Sequence, residues 1–226
     1  MRYTFQKAGQ SRSFPEDDAF LRGQSDADAA EIIIYSGARF KPNPGKTAIL
    51  IELQDECLGE HIDDRNPNCS NVLGFARYRN GDDPPSKLVE LVRHANSSEA
   101  AIAAARELFS AAGLEVVVCS DQAGRIINRL AVPKYNAALR FLDEGLASQA
   151  DMDLTCKLGL GYPDGPIERV VRGGLANHYR ISKALFEANG TPAYAPPRRA
   201  AVSFKRGSQD SESPGLKFVR TPEDRP

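Results

Sequence analysis

KLGLGYPDGP, residues 157–166, packs three glycines and two prolines into ten residues, yet it also carries Leu158, Leu160 and Tyr162. A plain linker is polar and serine-rich. An apolar glycine–proline corner suits two helices that meet at short range, because glycine lets backbones approach and proline fixes the bend. The flanks agree. Ser148 followed by Asp151 resembles a capping box opening a helix over Gln149–Leu158. Downstream, Ile181, Ala184, Leu185 and Ala188 recur at helical spacing and Gly190 closes that helix.

Further out, Tyr135, Leu139, Leu142 and Leu146 mark one helical face, which Pro133 opens, or kinks if the helix begins near Gly124. Residues 120–195 therefore read as a helical block without strand signal. The half before it differs. EIIIY (Glu31–Tyr35), TAILIEL (Thr47–Leu53) and VLGFARY (Val72–Tyr78) are short apolar runs, as in strands buried on both faces, and LEVVVCS (Leu114–Ser120) reads as a further strand. Before the last of these, Ile102, Ala105, Phe109 and Ala112 predict a helix that Ser97 or Ser98 caps and Gly113 ends. Strand, helix and strand in that order predict an α/β layer.

Hydrophobic residues at 41% and charged residues at 26% are ordinary for a globular chain. A formal net charge of −1 supplies no global attraction to nucleic acid or membrane. No apolar run approaches the roughly 18 residues of a membrane helix. The N-terminus lacks the apolar core of a secretory signal, so a cytoplasmic protein is expected. Cys57, Cys69, Cys119 and Cys156 are widely spaced and predict reduced thiols rather than structural zinc. His61 beside Asp63 and Asp64 is a weak metal pattern, and no metal site is assigned. Residues 1–30 are weakly patterned, and 199–226 read as a disordered tail.

DQAGRIINRL (Asp121–Leu130), LDEGLAS (Leu142–Ser148), DMDLTCKLGLGYPDGP (Asp151–Pro166) and NGTPAYAPP (Asn189–Pro197) together resemble the C-terminal domain of the L-3-hydroxyacyl-CoA dehydrogenase family. Its patterns are D-x-P-G-F-x-x-N-R, E-G-x-A-S-x-x-D-I-D, K-x-G-x-G-(H/Y)-P-x-G-P and T-G-D-P-x-Y-x-P-P, in the same order. Lys87–Gly113 is similar to that family's last strand-and-helix unit of the NAD domain. The resemblance implies NAD-linked oxidation of L-3-hydroxyacyl-CoA thioesters, with a helical domain that forms a homodimer and closes the acyl-CoA cleft. It matches Glu90, in KLVE, to the family's histidine-orienting glutamate, and Asn128, in INR, to its active-site asparagine. Without a histidine, Glu90 also reads as a solvated or arginine-paired carboxylate. Asn128 also reads as a helix cap or packing amide.

Three expected features are absent. The family's histidine pattern falls on GFARYRNG (Gly74–Gly81), where Ala76 takes the histidine's place, and its Ser-rich turn falls on Ile51–Gln54. An imidazole suits proton abstraction near pH 7; a methyl group cannot do it. No G-x-G-x-x-G precedes residue 150, and the opening βαβ unit, which takes about 30 residues or more, has no counterpart before Glu31. His94 and His178 do not occupy the family's position and read as structural.

The expected architecture is thus an incomplete Rossmann-like α/β part over 31–119, then an all-α dimerisation domain over 120–198. The expected function is that of a reduced 3-hydroxyacyl-CoA dehydrogenase relative, with NAD as the family's cofactor. The alternative is a non-catalytic acyl-CoA-binding or dimerising partner of a complete paralogue. A remnant without function is a third reading.

Overall fold

The computed structural model describes residues 1–63 and 65–212. Six strands form one sheet whose spatial order equals chain order: β1 (Tyr3–Lys7), β2 (Ile32–Ser36), β3 (Ala48–Glu52), β4 (Val72–Arg77), β5 (Leu88–Arg93) and β6 (Glu115–Ser120). All neighbouring pairs are parallel except β4 and β5, which form an antiparallel hairpin. β2 and β3 are buried along their whole length, which is why both read as continuous apolar runs. Helix α1 (Glu99–Ala111) joins β5 to β6 and lays Ala101, Ala105, Leu108 and Phe109 on one face of the sheet.

β1 lies inside the stretch that the sequence leaves unpatterned. It is short and at the edge, where alternation has few residues in which to show. The segment after it is held by aromatic packing: Phe14 stacks on Phe20 at 4.3 Å between ring centroids and meets Phe109 at 6.2 Å. Phe14 and Phe20 thus extend the cover that α1 begins on that face. Leu58, Ile62 and Cys69, in the turns between β3 and β4, pack on the opposite face with Ile33, Ile49 and Val72.

The helical part comprises α2 (Ile127–Asp143), α3 (Gln149–Leu160), α4 (Pro166–Gly173), α5 (Leu175–Asn189) and α6 (Arg198–Glu212). Ser148 caps α3 as expected, accepting from the Asp151 backbone N–H at 3.2 Å. Pro133 sits inside α2 rather than at its start. A proline there cannot donate to the carbonyl four residues earlier. That carbonyl, on Arg129, instead accepts the Tyr194 hydroxyl at 3.3 Å. Leu146 falls beyond the end of α2 and is exposed. α6 replaces the first half of the expected disordered tail: Ala200 is buried and the Phe204 ring stacks on Tyr179 at 4.6 Å. The rest of that tail, 213–226, lies outside the described residues.

The glycine–proline corner joins α3 to α4. Gly161 ends α3 in the left-handed region at φ 69°, and the Tyr162 N–H closes on the Cys156 carbonyl at 3.2 Å. Gly165 is where two chains come close: a Cβ there would stand 2.3 Å from Asp153 Cγ. The Asp153 carboxylate is buried against it and accepts the N–H groups of Ile167 and Glu168 at 2.9 and 3.0 Å, capping α4. Gly159 and Gly161 face open space, so close approach at this corner depends on Gly165 alone of the three.

Candidate functional site

The sheet meets the helical part where β5 faces the start of α2. Along β5, Val89 and Leu91 point to the α1 side, so Glu90 points the other way. It emerges beneath the first turn of α2. Its Oε1 accepts the backbone N–H of Ile126 and of Ile127, each at 2.8 Å. Unpaired N–H groups at a helix start favour an anion, so this carboxylate caps α2 in place of a side chain of the helix itself. Its Oε2 lies 3.6 Å from Nε of Arg125, and both side chains are almost wholly buried.

Arg125 is held there by an unusual backbone. Among the described residues it is the non-glycine one with positive φ, 51°, and it follows Gly124 at φ 72°. The left-handed region costs a non-glycine residue about 1–2 kcal/mol. Gly124 is required on space as well, since a Cβ would stand 2.4 Å from Leu185 Cδ2. The consequence is an inward-pointing guanidinium. Nη2 donates to the Gln54 carbonyl at 2.5 Å, while Nε and Nη1 are buried without a hydrogen bond. Each such group carries a desolvation penalty of about 1–3 kcal/mol.

Ala76 is the direct partner of Glu90 in the β4–β5 ladder. The position that the family resemblance gives to histidine therefore does face the glutamate, but it carries a methyl group. Arg125 supplies the charge that pairs with Glu90 instead. Of the two sequence readings of Glu90, the arginine-paired carboxylate is the observed one.

Glu90, Arg125, Ala76 and Asn128 line one cleft of about 90 Å³. Asp55, Gln54, Tyr78, Asn177 and Ile181 complete much of its wall, together with Arg12, Arg77, Arg79 and Arg180. Burial, helped by the Glu56 charge, pushes the Asp55 carboxyl above its ordinary range against the pull of Arg125 and the weaker pull of Arg12 and Arg180. Arg77 is committed to structure: it donates to the Ser13 and Ser86 carbonyls at 2.7 and 2.8 Å and pairs with Asp18 at 3.0 Å. The structure thus brings both expected site residues, Glu90 and Asn128, to one cleft. The cleft can hold a small polar or anionic group; it carries no imidazole.

Sequence reasoning missed Arg125, Asp55, Arg12 and Arg180. The available signal was paired: the chain departs from the family at Ala76 in GFARYRNG and again at Arg125 in DQAGRIINRL, where the pattern has phenylalanine. The three histidines lie elsewhere. His94 Nε2 meets the Cys69 carbonyl at 3.1 Å. His61 Nε2 sits 3.3 Å from Glu56. His178 Nε2 donates to Asn136 Oδ1 at 2.7 Å, and burial lowers its pKa to about 4. Asn136 in turn donates to the Ala193 carbonyl at 2.9 Å, so this histidine belongs to packing between α2 and α5. Among the described residues no group of three His, Cys, Asp or Glu is arranged to hold a metal, and no helix is long and apolar enough to cross a membrane.

The described residues do not fit a dinucleotide. Only β5 and β6 run on into α-helices, and neither connection carries the glycine turn that brings amide groups to a pyrophosphate.

Residues 124–214 match the family model of the 3-hydroxyacyl-CoA dehydrogenase C-terminal domain. A probable 3-hydroxyacyl-CoA dehydrogenase of Caenorhabditis elegans is 44% identical over 113 residues, which cover 50% of this chain and 35% of that protein. The 3-hydroxybutyryl-CoA dehydrogenase of Mycobacterium tuberculosis is 38% identical over 115 residues, covering 50% and 40%. These matches span less than half the length of the relatives. In structure, FadB2 of M. tuberculosis superimposes with a TM-score of 0.69 at 26% identity, over 79% of this chain and 66% of that one. The (S)-3-hydroxybutyryl-CoA dehydrogenase of Ralstonia eutropha has the same fold, at TM-score 0.69 and 22% identity, with the same coverage. Residues 124–214 thus match the C-terminal domain of 3-hydroxyacyl-CoA dehydrogenases, and the α/β sheet before them together with the helical part is similar in fold to those enzymes.

Proposed function

We propose that this chain serves the NAD-linked oxidation of L-3-hydroxyacyl-CoA thioesters in fatty-acid or related acyl-CoA metabolism, and that its own part is to bind the acyl group. The observation that carries this reading is the convergence of Glu90 and Asn128 on one cleft where the sheet meets the family's C-terminal domain. Asn128 donates to the acyl oxygen there. Glu90 fixes the first turn of α2, which carries Asn128. NAD is the family's cofactor, and the described residues carry no glycine turn for its pyrophosphate. The chain acts in the cytoplasm as a homodimer or beside a complete paralogue. The exposed Leu154 and Leu158 of α3 support pairing through the helical part.

The Glu90–Arg125 pair favours a second reading. A glutamate that caps a helix and neutralises an arginine has no histidine to orient, so the chain binds acyl-CoA without hydride chemistry, as a partner subunit. Titration calorimetry with acetoacetyl-CoA, with and without NADH, separates the two. Binding of both, with NADH consumed, supports the dehydrogenase. Binding of the thioester alone supports the partner subunit. Binding of neither removes both readings.

A further inference from the structure

Five arginines, Arg12, Arg77, Arg79, Arg125 and Arg180, line the cleft against two carboxyl side chains, Glu90 and Asp55. Arg77 and Arg79 are spent on backbone carbonyls. Arg12 makes one hydrogen bond, to the Arg79 carbonyl at 3.0 Å, and Arg180 makes one, to Asn177 at 3.3 Å. Arg125 is the deepest. Its side chain is 4% exposed, and two of its nitrogens have no hydrogen-bond partner. The left-handed backbone at 124–125 aims it inward, and strained backbone of this kind is retained where a site needs it. Glu90 cannot satisfy the guanidinium alone, because one of its oxygens is taken by two helix N–H groups.

We propose that the cleft is a carboxylate-binding site, in which Arg125, with Arg12 and Arg180, receives a free carboxylate carried by the acyl part of the substrate. A planar guanidinium pairs with a carboxylate through two parallel hydrogen bonds. The size of the cleft, about 90 Å³, suits a small group. This names the substrate class within the acyl-CoA reading above: a thioester whose acyl chain bears a second, free carboxylate.

The test is titration of the full chain with malonate and, separately, with inorganic phosphate, at constant ionic strength held with chloride. Malonate is expected to bind and phosphate to bind more weakly. Arg180→Ala, an exposed change that leaves the core intact, is expected to weaken malonate about tenfold, as for one hydrogen bond to a charged group. Arg125→Met is expected to abolish binding, with circular dichroism showing whether it folds. If Arg125→Met does not fold, Arg180→Ala decides. Malonate heats equal to chloride, malonate affinity unchanged by Arg180→Ala, or phosphate binding tighter than malonate would each overturn the assignment. Acetoacetyl-CoA, titrated in parallel, keeps the two claims apart. Thioester binding without malonate binding sinks the carboxylate site alone; malonate binding without thioester binding sinks the acyl-CoA reading alone.

Discussion

Glu90 and Arg125 face each other at 3.6 Å, both buried, across the junction between β5 and the first turn of α2. The pair joins the sheet to the helical part by charge, and the same carboxylate caps the helix that carries Asn128. Stability and site geometry therefore depend on one side chain.

Glu90→Ala leaves Arg125 buried without a counter-charge and α2 without its cap. Removing one partner of a buried pair costs about 3–5 kcal/mol. Urea denaturation should show a loss of that order, and Glu90→Ala/Arg125→Ala should recover part of it. A double variant no more stable than Glu90→Ala would mean that the pair contributes little.

Asn128 is half-buried at the wall of the cleft. If the chain oxidises 3-hydroxyacyl-CoA, Asn128→Ala should lower turnover by about one to three decades. Its denaturation midpoint should move by no more than about 0.5 kcal/mol. Unchanged turnover would remove Asn128 from the site.

Gly165→Ala places a methyl group into Asp153, the residue that caps α4. Overpacking of this kind costs about 1–3 kcal/mol. Asp153→Ala relieves the crowding but loses the cap, at about 1–2 kcal/mol. Both should lower the thermal midpoint. Gly159→Ala, which meets nothing, should leave the midpoint where it is or raise it.

His178 is neutral in the folded chain because burial holds its pKa near 4, against 6.5 for the exposed group. Above pH 6.5 it is neutral folded and unfolded, and it contributes no pH dependence. As pH falls from 6.5 to about 4, the unfolded chain takes up the proton first, so stability drops by up to about 3 kcal/mol and then levels. His178→Gln should flatten the pH dependence of the denaturation midpoint in that window. A slope identical to that of the unmodified chain would show that His178 does not produce it.

The strands β2, β3 and β4 were legible because each is a short apolar run buried in the sheet, and β6 because three successive valines mark a strand even at the sheet edge. The helical part was legible because its caps and corner are encoded locally, in Ser148, Gly161 and Gly190. β1 was not, because five residues at a sheet edge carry little pattern and their partners lie far along the chain. α6 was not, because its charges and the prolines on either side of it read as disorder, while the contacts that hold it come from Tyr179 and Asp143. At the site, the motifs placed Glu90 and Asn128 together. Arg125 stayed hidden because its inward course depends on a left-handed backbone, which no side-chain pattern announces.

Pro133 deprives α2 of one rung of its own ladder, and the vacated carbonyl of Arg129 receives Tyr194 from 65 residues further on. An interruption in one helix becomes an address for a remote stretch of chain. The short turn between α5 and α6 docks at that address, and with it the direction in which α6 departs is set. Replacing the proline by a residue that completes the ladder would offer the Arg129 oxygen a second, local donor. The gain in helix regularity would then compete directly with the anchorage of the C-terminal helix.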